Sequence, residues 1–422
     1  GEELGMEDFL YRWKANYGHL PLTLRNGIGS AVRMVPPCVW YGSFCRVYRQ
    51  RIEKFLAAKS SASVRSLQFE LLQNTVNWAV THVPFYREMK RIRDFSDIAA
   101  FQVVTKEDYR ENFGAFIAPE VCKNALPANT GGSSGVRMDF YLHRGRSRPK
   151  ERAHFDWYGA LFLYSRHSRV LMVRGKPLQN RRLYEREAFR NRLVISCHDI
   201  KQANISLVID AIRRFRPEYI LAYPSALAVF TKMLEDVSVL GERNDLKAIF
   251  CGSEVLTKSD RLWFKDFYRT QVISFYGQSE RVLHGGYLPG SNEYHFFPFY
   301  GYCELLDEND TEITQPGQIG RIVGTSFDNY VMPFIRYDTG DLGVLSANSP
   351  SSCGFPVLER IEGRGRDIVY LSDGRGVSMT SFLFAHRMTQ LAKIRDMQLE
   401  QKEQGQLLMR IVKGPGYREE VD

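Results

Sequence analysis

The stretch EYILAYPSALAVFTKML, Glu218 to Leu234, predicts a short apolar strand followed at once by a helix. Further strand-like runs lie on either side, at RVLMVRG (Arg169 to Gly175), RLVISCHD (Arg192 to Asp199), LKAIFCGSE (Leu246 to Glu254) and QVISFYG (Gln271 to Gly277). Helix-like runs, ISLVIDAIRRF and SDRLWFKDFYR, lie between them. Strands and helices that alternate at this length predict a parallel sheet with right-handed crossovers, and therefore an α/β fold.

Polar residues follow two of these strands directly. In parallel sheets, ligands bind at the carboxyl ends of the strands. GSE (Gly252 to Glu254) and YGQSE (Tyr276 to Glu280) both fall at that edge. YGQSE combines an aromatic plane, a turn glycine and a carboxylate, which suits base stacking together with metal–phosphate coordination. A buried tyrosine beside a solvated glutamate is the alternative interpretation.

The flanking regions follow other patterns. Apolar residues at three- and four-residue spacing predict helices over residues 46 to 93, and TKEDYRENF predicts a short helix with Thr105 as its N-cap and Asp108 three positions on. From about residue 292 the pattern changes to short strands and tight turns. DENDTE (Asp307 to Glu312) superficially resembles a calcium loop, but it lacks the glycine at the sixth position. A hairpin turn is therefore the better interpretation.

Composition restricts the class of protein. The chain has 422 residues, 44% of them hydrophobic and 13% aromatic, which is enough to bury a large core. Its formal net charge of +9 favours anionic partners, such as nucleotides, polyphosphates, nucleic acid or an acidic membrane surface. The arginines are scattered, with neither a long basic tail nor a basic–aromatic repeat, so nucleic acid is disfavoured as a partner.

The cysteines and histidines form no recognisable site. The seven cysteines are widely spaced and include no CxxC pair, so the sequence indicates neither a disulfide framework nor a zinc ribbon. This usage suits a reducing cytoplasm, where we expect the protein to be. His284, His295 and Cys303 match no standard metal spacing, and the chain has no GxSxG elbow of a serine hydrolase. No uninterrupted apolar run reaches about 18 residues, so no membrane-spanning helix is expected.

Two further stretches have the composition of ligand-binding loops. NTGGSSGVRMDFY (Asn129 to Tyr141) is rich in glycine and hydroxyl groups, which can donate to the oxygens of a phosphate. It is neither a Walker A motif nor a Rossmann fingerprint, and a flexible turn is the alternative. RYDTGD (Arg336 to Asp341) offers an aspartate that can accept two hydrogen bonds from a ribose diol, or else an Asx-type turn that closes a hairpin.

Taken in order, six motifs resemble the adenylate-forming superfamily, which includes acyl-CoA synthetases, luciferases and the adenylation domains of peptide synthetases. They are TGGSSG, YPSAL, GSE, YGQSE, RYDTGD and GRGRD. HVPFYREM, FRPEYILAYPSAL and YGQSE with SNEYHFF are similar to the phenylacetate–CoA ligase branch, particularly its CapK-like members of capsular-polysaccharide biosynthesis. The resemblance covers about residues 80 to 415.

The resemblance implies a role for each motif. The loop that holds the β- and γ-phosphates of ATP would consist of Thr130, Gly131, Gly132, Ser133, Ser134 and Gly135. Gly252, Ser253 and Glu254 would border the adenine, and Tyr276 would lie against its ring. Gly277, Gln278 and Ser279 would be further cofactor-binding residues. Glu280 would reach Mg²⁺ and phosphate, Asp341 the ribose hydroxyls, and Arg364 the ribose or phosphate; Arg366 occupies the hinge position. Glu280, Thr130 and Arg364 would be the catalytic residues, and the acid pocket would include Tyr158, Tyr223 and Ser225.

The implied reaction is attack of a carboxylate on the α-phosphate of ATP, followed by transfer of the acyl group to CoA or to a sugar or amine acceptor. The implied fold has a large adenylate-forming domain of mostly parallel sheets flanked by helices with a β-rich subdomain, and a short C-terminal α+β domain. The expected boundaries are 1–80 for an N-terminal helical region, 81–365 for the large domain and 366–422 for a partial small domain.

The sequence departs from the family pattern at three places. Val136 and Arg137 follow the loop where the family usually has Gly-Lys-Pro, so the loop lysine is absent, with substitution by Arg137 as the alternative. The cationic Arg366 stands at a hinge that is usually Asp, Lys or Gln. The family's catalytic lysine belongs to a region that lies beyond the matched part of the C-terminal domain. A member that binds nucleotide or acyl-adenylate without full turnover, and serves as a binding or assembly partner, is therefore the alternative hypothesis.

Overall fold

The computed structural model describes residues 22–130, 138–175, 177–178, 181–237, 245–349, 355–364, 368–370, 372, 376–378 and 394–413. The helices in these ranges are α1 (Leu22–Met34), α2 (Pro37–Tyr41), α3 (Phe44–Leu56), α4 (Ser61–His82), α5 (Lys106–Glu111), α6 (Ser147–Ala160), α7 (Ile205–Phe215), α8 (Pro224–Asp236) and α9 (Lys258–Tyr268). None of them is both long and apolar enough to cross a membrane.

The strands fall into one large sheet and three hairpins. The hairpins are β1 (Ala125–Asn129) with β2 (Asp139–His143), β15 (Ile368–Tyr370) with β16 (Gly376–Ser378), and β17 (Ile394–Glu403) with β18 (Gln406–Lys413). The large sheet contains β3 (Val170–Arg174), β4 (Tyr184–Glu187), β5 (Arg192–Ser196), β6 (Tyr219–Ala222), β7 (Ala248–Cys251), β8 (Gln271–Gly277), β9 (His284–Gly286), β10 (Tyr294–Phe296), β11 (Gly301–Leu306), β12 (Ile319–Ser326), β13 (Tyr337–Leu345) and β14 (Val357–Arg364).

The predicted α/β fold is confirmed. Strands β5, β3, β6, β7 and β8 are neighbours in that order and all parallel, with α7, α8 and α9 as the crossover helices. The other half of the sheet is antiparallel, in the order β9, β10, β14, β13, β12 and β11. The β-rich region of the sequence thus continues the parallel sheet across the antiparallel pair of β8 and β9. The expected domain boundaries stay a prediction.

Local chemistry explains where the helices begin and end. Thr105 caps α5 as predicted, since its hydroxyl accepts a hydrogen bond from the backbone N–H of Asp108, whose carboxylate accepts from the N–H of Thr105. Ser60 caps α4 in the same way, accepting from the N–H of Ser63. Pro84 follows α4 and stops it.

Two apolar cores lie against the large sheet. The first core lies between the parallel strands and the crossover helices α7, α8 and α9, where side chains such as Val208, Phe230 and Phe264 are fully buried. The other is unusually aromatic and joins α3, α4 and α6 to β8, β9 and the antiparallel strands. This second core holds β8 and β13 in the positions that bring the sequence motifs together.

Buried charged side chains connect the elements around the aromatic core. The Arg51 guanidinium donates to both carboxylate oxygens of Asp328 at 2.7 Å, and Lys150 donates to the Tyr300 and Phe327 carbonyls at 2.7 and 3.2 Å. These bonds tie α3 and α6 to the ends of β11 and β12. The Arg51 and Lys150 cations hold the pKa of Asp328 at about 2 despite its burial, so the carboxylate stays ionised.

The turn after β11 is a hairpin, as predicted for DENDTE. The Asp307 carboxylate accepts hydrogen bonds from the backbone N–H groups of Asn309 and Thr311 at 2.8 and 2.9 Å. The Arg321 guanidinium donates to the Asp307 carbonyl and pairs with the Asp310 carboxylate, supplying the positive charge that this acidic turn needs. In the described part of the chain, no cluster of three or more His, Cys, Asp and Glu side chains is placed to hold a metal ion.

Candidate active site

The YGQSE and RYDTGD motifs meet at the end of β8. The Tyr276 hydroxyl donates to the Asp341 carboxylate at 2.8 Å, although 65 residues separate the two in sequence. The Gln278 side-chain amide donates to the same hydroxyl at 2.9 Å, and its carbonyl accepts from the Leu283 N–H. Burial and the Asp341 charge raise the pKa of Tyr276 well above its usual value, so the phenol remains a donor.

Asp341 and Asp338 have different roles in RYDTGD. The Asp338 carboxylate accepts from the Gly340 N–H at 2.8 Å, which forms the Asx-type turn, and Gly340 takes φ +77°. Asp341 stands after this turn in β13, opposite Arg364 of β14 in the strand register. The Asx-type turn is thus formed by Asp338, and the ribose-binding role of Asp341 stays a prediction.

Glu280 is buried beside Tyr337. Its side chain is 6% exposed, and one carboxylate oxygen accepts a hydrogen bond from the Tyr337 hydroxyl at 2.8 Å. Burial and the Glu280 charge raise the pKa of Tyr337, which stays a neutral donor. No basic side chain within the described ranges lies within 4.0 Å of the Glu280 carboxylate. A buried carboxylate without an ion pair is a suitable ligand for a divalent cation.

GSE and YPSAL also lie together. The Glu254 carboxylate accepts from the backbone N–H of Ser225, in the first turn of α8, at 3.0 Å. A carboxylate is favourable at a helix N-terminus. Ser253 takes φ +67°, a strained conformation for serine, and Gly252 is closely covered by the Phe275 ring. Ser253, Glu254 and Ser225 are exposed at the carboxyl edge of the sheet.

Thr130 closes the base of the glycine-rich loop. Its N–H donates to the Met138 carbonyl at 2.9 Å, and its hydroxyl accepts from the Met138 N–H at 3.0 Å. The other predicted loop residues, Gly131, Gly132, Ser133, Ser134, Gly135, Val136 and Arg137, lie outside the described residues, as does Arg366. Only the backbone of Arg364 is described. The phosphate-binding role of the loop stays a prediction.

The three residues predicted for the acid pocket are in two different environments. Tyr223 comes directly after β6 and is 36% exposed, and Ser225 stands beside it at the start of α8. Tyr158 is 2% exposed, and its hydroxyl donates to the Tyr287 carbonyl at 2.7 Å. The structure therefore brings Tyr223 and Ser225 to the GSE edge, whereas Tyr158 lies in the aromatic core beneath β9.

Sequence reasoning missed the residues that hold the site together. Tyr337 and Arg336 lie within RYDTGD but were given no role there, and their partners Glu280 and Glu304 are distant in sequence. Arg336 is buried, with its guanidinium on the Glu304 carboxylate at 3.0 Å and the Phe101 carbonyl at 2.8 Å. No local pattern in the sequence identifies the partner of either residue.

This geometry can be compared with known proteins. No family model matches the chain. The chain is 26% identical over 315 residues to a phenylacetate–coenzyme A ligase of Thermus thermophilus, covering 69% of this chain and 67% of that protein. It is 22% identical over 350 residues to the phenylacetate–coenzyme A ligase of Escherichia coli, covering 75% and 74%.

Solved structures share the fold. A 2-hydroxyisobutyryl-CoA ligase, in the postadenylation state with R3-HIB-AMP, aligns with a TM-score of 0.60 and 17% identity over 85% of this chain and 79% of that one. An open conformation of the same ligase with 2-HIB-AMP and CoA aligns with a TM-score of 0.57 and 17% identity, over 85% and 86% of the two chains. The fold is that of the adenylate-forming ligases. Together with the sequence likeness, it supports a carboxylate–CoA ligase of that superfamily.

Proposed function

We propose that this protein uses ATP to activate a carboxylic acid as an acyl-adenylate and then transfers the acyl group to CoA. The observation that carries the proposal is the hydrogen bond between Tyr276 and Asp341. It unites an aromatic plane and an acidic side chain at the carboxyl edge of a parallel sheet, where nucleotides bind. The sequence likeness to two phenylacetate–coenzyme A ligases supports the same reaction class.

The proposed roles follow from this arrangement. Tyr276 lies against the adenine, bordered by Gly252, Ser253 and Glu254, and Asp341 accepts the ribose hydroxyls. Asp341 also accepts from Tyr276, which fixes its carboxylate relative to the base-binding plane. Arg364, opposite Asp341 in the strand register, contacts the ribose or phosphate. Tyr223 and Ser225 line the entrance for the acid.

The chemistry needs no protein nucleophile. The acid's carboxylate attacks the α-phosphorus, the bond to the β-phosphate oxygen breaks, and pyrophosphate leaves; the CoA thiolate then displaces AMP from the acyl carbon. The protein contributes position and electrostatic stabilisation. Thr130 and its loop hold the β- and γ-phosphates, and Glu280, oriented by Tyr337, would hold Mg²⁺. Mg²⁺ supplies charge neutralisation at the phosphates.

We also propose a biological use for the activated acid. HVPFYREM, FRPEYILAYPSAL and the YGQSE–SNEYHFF pair resemble CapK-like proteins, so we place the activated acid in polysaccharide or cell-surface biosynthesis. In that setting a sugar or amine is the alternative acceptor to CoA.

Carboxylate-dependent exchange of pyrophosphate into ATP tests the proposal. We expect exchange with at least one member of a broad acid panel, and Asp341→Ala should abolish it by weakening ATP binding. Asp266→Ala, on the exposed face of α9, is the matched control and should behave as wild type. ATP binding without exchange would favour the alternative of a nucleotide-binding member that does not turn over, which Val136 in place of a lysine motivates. The proposal fails if no acid gives exchange and ATP causes no thermal shift.

A further inference from the structure

Two arginines meet at the amino ends of the parallel strands, the edge of the sheet opposite the candidate active site. Arg169 directly precedes β3, and Arg186 belongs to β4, which is separated from β3 by β5. Both contact the end of α7. The Arg186 guanidinium carbon Cζ lies 4.2 Å from the centre of the Phe215 ring. Arg169 Nε donates to the carbonyl of the next residue, Arg216, at 2.6 Å.

A third arginine, Arg33, comes from α1. This helix packs against the short 3₁₀ helix Ala188–Arg190, which follows β4 directly. Burial and the charges of Arg33 and Arg169 lower the pKa of Arg186. The three guanidinium groups are therefore close enough to repel one another, which costs free energy unless a negative charge lies between them. We call Arg33, Arg169 and Arg186 the amino-edge cluster.

Arg186 is held in place with one nitrogen unpaired. Its Nη2 donates to the Asn191 side-chain oxygen at 2.8 Å, and Asn191 donates in turn to the His167 carbonyl at 2.6 Å. Its Nη1 is buried and has no hydrogen-bond partner in the described part of the chain. The neighbouring Glu185 and Glu187 point to the other face of the sheet, because successive side chains of a strand alternate. A buried guanidinium nitrogen without a partner is suited to bind an anion.

The carboxylate nearest to this edge does not balance the charge of Arg186. Glu218 lies 3.6 Å from Arg169 Nη1 and 3.0 Å from Lys247 Nζ, so two cations share it. Among the described residues, no carboxylate oxygen lies within 4.0 Å of the Arg186 guanidinium. A planar guanidinium binds phosphate through two parallel hydrogen bonds, so a phosphate group matches this cluster in both charge and shape.

Exposed apolar and aromatic side chains stand beside the amino-edge cluster. Met34 follows Arg33 in the chain and is 72% exposed, and Leu24 of the same helix is 54% exposed. Tyr184 lies on the same face of β4 as Arg186 and is 38% exposed. Arginines next to exposed apolar residues and tyrosine are typical of surfaces that bind the interface of an anionic membrane. A lipid headgroup therefore explains both the cations and the exposed apolar side chains.

We infer that the amino-edge cluster binds the phosphate groups of anionic lipids, and that α1 and β4 bring this edge of the protein to a membrane surface. Arg186 donates to the phosphate from Nη1, and Arg33 and Arg169 supply further positive charge. Binding at this edge leaves the candidate active site, at the opposite edge of the sheet, uncovered. The inference goes beyond the proposed reaction and does not depend on it.

Co-sedimentation of the full chain with lipid vesicles tests the inference. One kind of vesicle consists of phosphatidylcholine, and the other also contains phosphatidic acid, whose headgroup is a phosphate monoester. We expect binding to the second kind alone, weakening as salt is added. Arg186→Gln should reduce the affinity about five-fold or more, since loss of one cation at an anionic surface has about that effect. Arg110→Gln removes the same charge from the exposed face of α5 and should bind as wild type.

Met34→Ser is a second variant that leaves the arginines intact. The side chain is largely exposed, so thermal stability should be unchanged while binding to the phosphatidic acid vesicles weakens. Inorganic phosphate distinguishes a soluble ligand from a lipid. A thermal shift with inorganic phosphate that Arg186→Gln removes, without any binding to vesicles, would overturn the assignment to lipid. Equal binding to the two kinds of vesicle, or wild-type affinity in either Arg186→Gln or Met34→Ser, would overturn it as well.

Discussion

The Tyr337 hydroxyl donates to the buried Glu280 carboxylate at 2.8 Å and thereby connects β13 with the turn that follows β8. The two residues come from different halves of the sheet, one parallel and one antiparallel. Tyr337 also packs edge-on against Tyr109 and Phe334, so its hydroxyl has little freedom to turn away. The position of Glu280 therefore depends on the junction of the two halves.

Tyr337→Phe tests this dependence. The substitution keeps the ring and removes the hydrogen bond, so Glu280 becomes free to adopt other rotamers. We expect the apparent affinity for Mg²⁺ and the exchange rate to fall about 10- to 100-fold, as for other residues that orient a metal ligand. Magnesium titrations of the exchange rate give the result.

Tyr219→Phe is the matched control for that experiment. It also removes one buried tyrosine hydroxyl, which donates to the Phe162 carbonyl at 3.0 Å, but it lies outside the site. Stability should fall by about 1 kcal/mol in both variants, since each loses one hydrogen bond. An equal magnesium requirement in the two variants would contradict a role for Tyr337 in holding Glu280.

Tyr276→Phe and Asp341→Asn test separately the proposed base-binding plane and the proposed ribose acceptor. Phenylalanine keeps the aromatic plane but removes one hydrogen bond to the Asp341 carboxylate, so the KM for ATP should rise about five- to ten-fold with little change in kcat. Asparagine removes the charge of the proposed ribose acceptor and should raise the KM further. Steady-state kinetics with varied ATP measure both. A Tyr276→Phe enzyme with unchanged KM would show that the hydrogen bond is structural only.

The sequence predicts the parallel half of the sheet because each of its strands is a short apolar run bounded by turn residues, as in Glu218 to Pro224. It also predicts Thr105 as the N-cap of α5, because Asp108 stands three positions further on. The continuation from β8 into β9 is not predictable in this way. It depends on Gly285 and Gly286, against which the Phe296 ring and the Tyr158 hydroxyl pack, and long-range packing of this kind has no local pattern.

In the candidate site, too, local patterns are predictable from the sequence and long-range contacts are not. Motif order suggests that Tyr276 and Asp341 belong together, but a motif does not say which partner holds each side chain. Arg336 stands inside RYDTGD and is turned into the core onto Glu304, a residue that no motif contains. Tyr158 was expected at the acid pocket, and the structure buries it in the aromatic core with its hydroxyl on the Tyr287 carbonyl. The roles assigned to the individual site residues stay predictions.

Gly252→Ala tests how closely the GSE turn is packed. A Cβ at this position would lie 2.5 Å from Phe275 Cζ, so either the ring or the turn must move. We expect a loss of about 1–3 kcal/mol in the free energy of unfolding, together with weaker ATP binding. Gly114→Ala is the control, because its Cβ would meet nothing within 4 Å, and it should be neutral or slightly stabilising. Chemical denaturation and nucleotide titration measure the two effects. Equal stabilities of the two variants would contradict the packing argument.

The neutral state of His284 predicts a dependence of stability on pH. Burial, helped by the Lys150 charge, lowers the pKa of His284 to about 3, below the usual value of about 6.5 that it has in the unfolded chain. Between these values the unfolded state binds a proton that the folded state does not, so the free energy of unfolding falls as the pH is lowered through this window. His154 contributes in the same direction, since burial lowers its pKa as well.

His284→Phe removes one of the two histidines that bind a proton on unfolding. It should therefore reduce the slope of the unfolding free energy against pH by about 1.4 kcal/mol per pH unit between pH 6 and 4. Urea denaturation at a series of pH values measures the slopes, and an equal slope in wild type and His284→Phe would mean that His284 is already protonated in the folded protein.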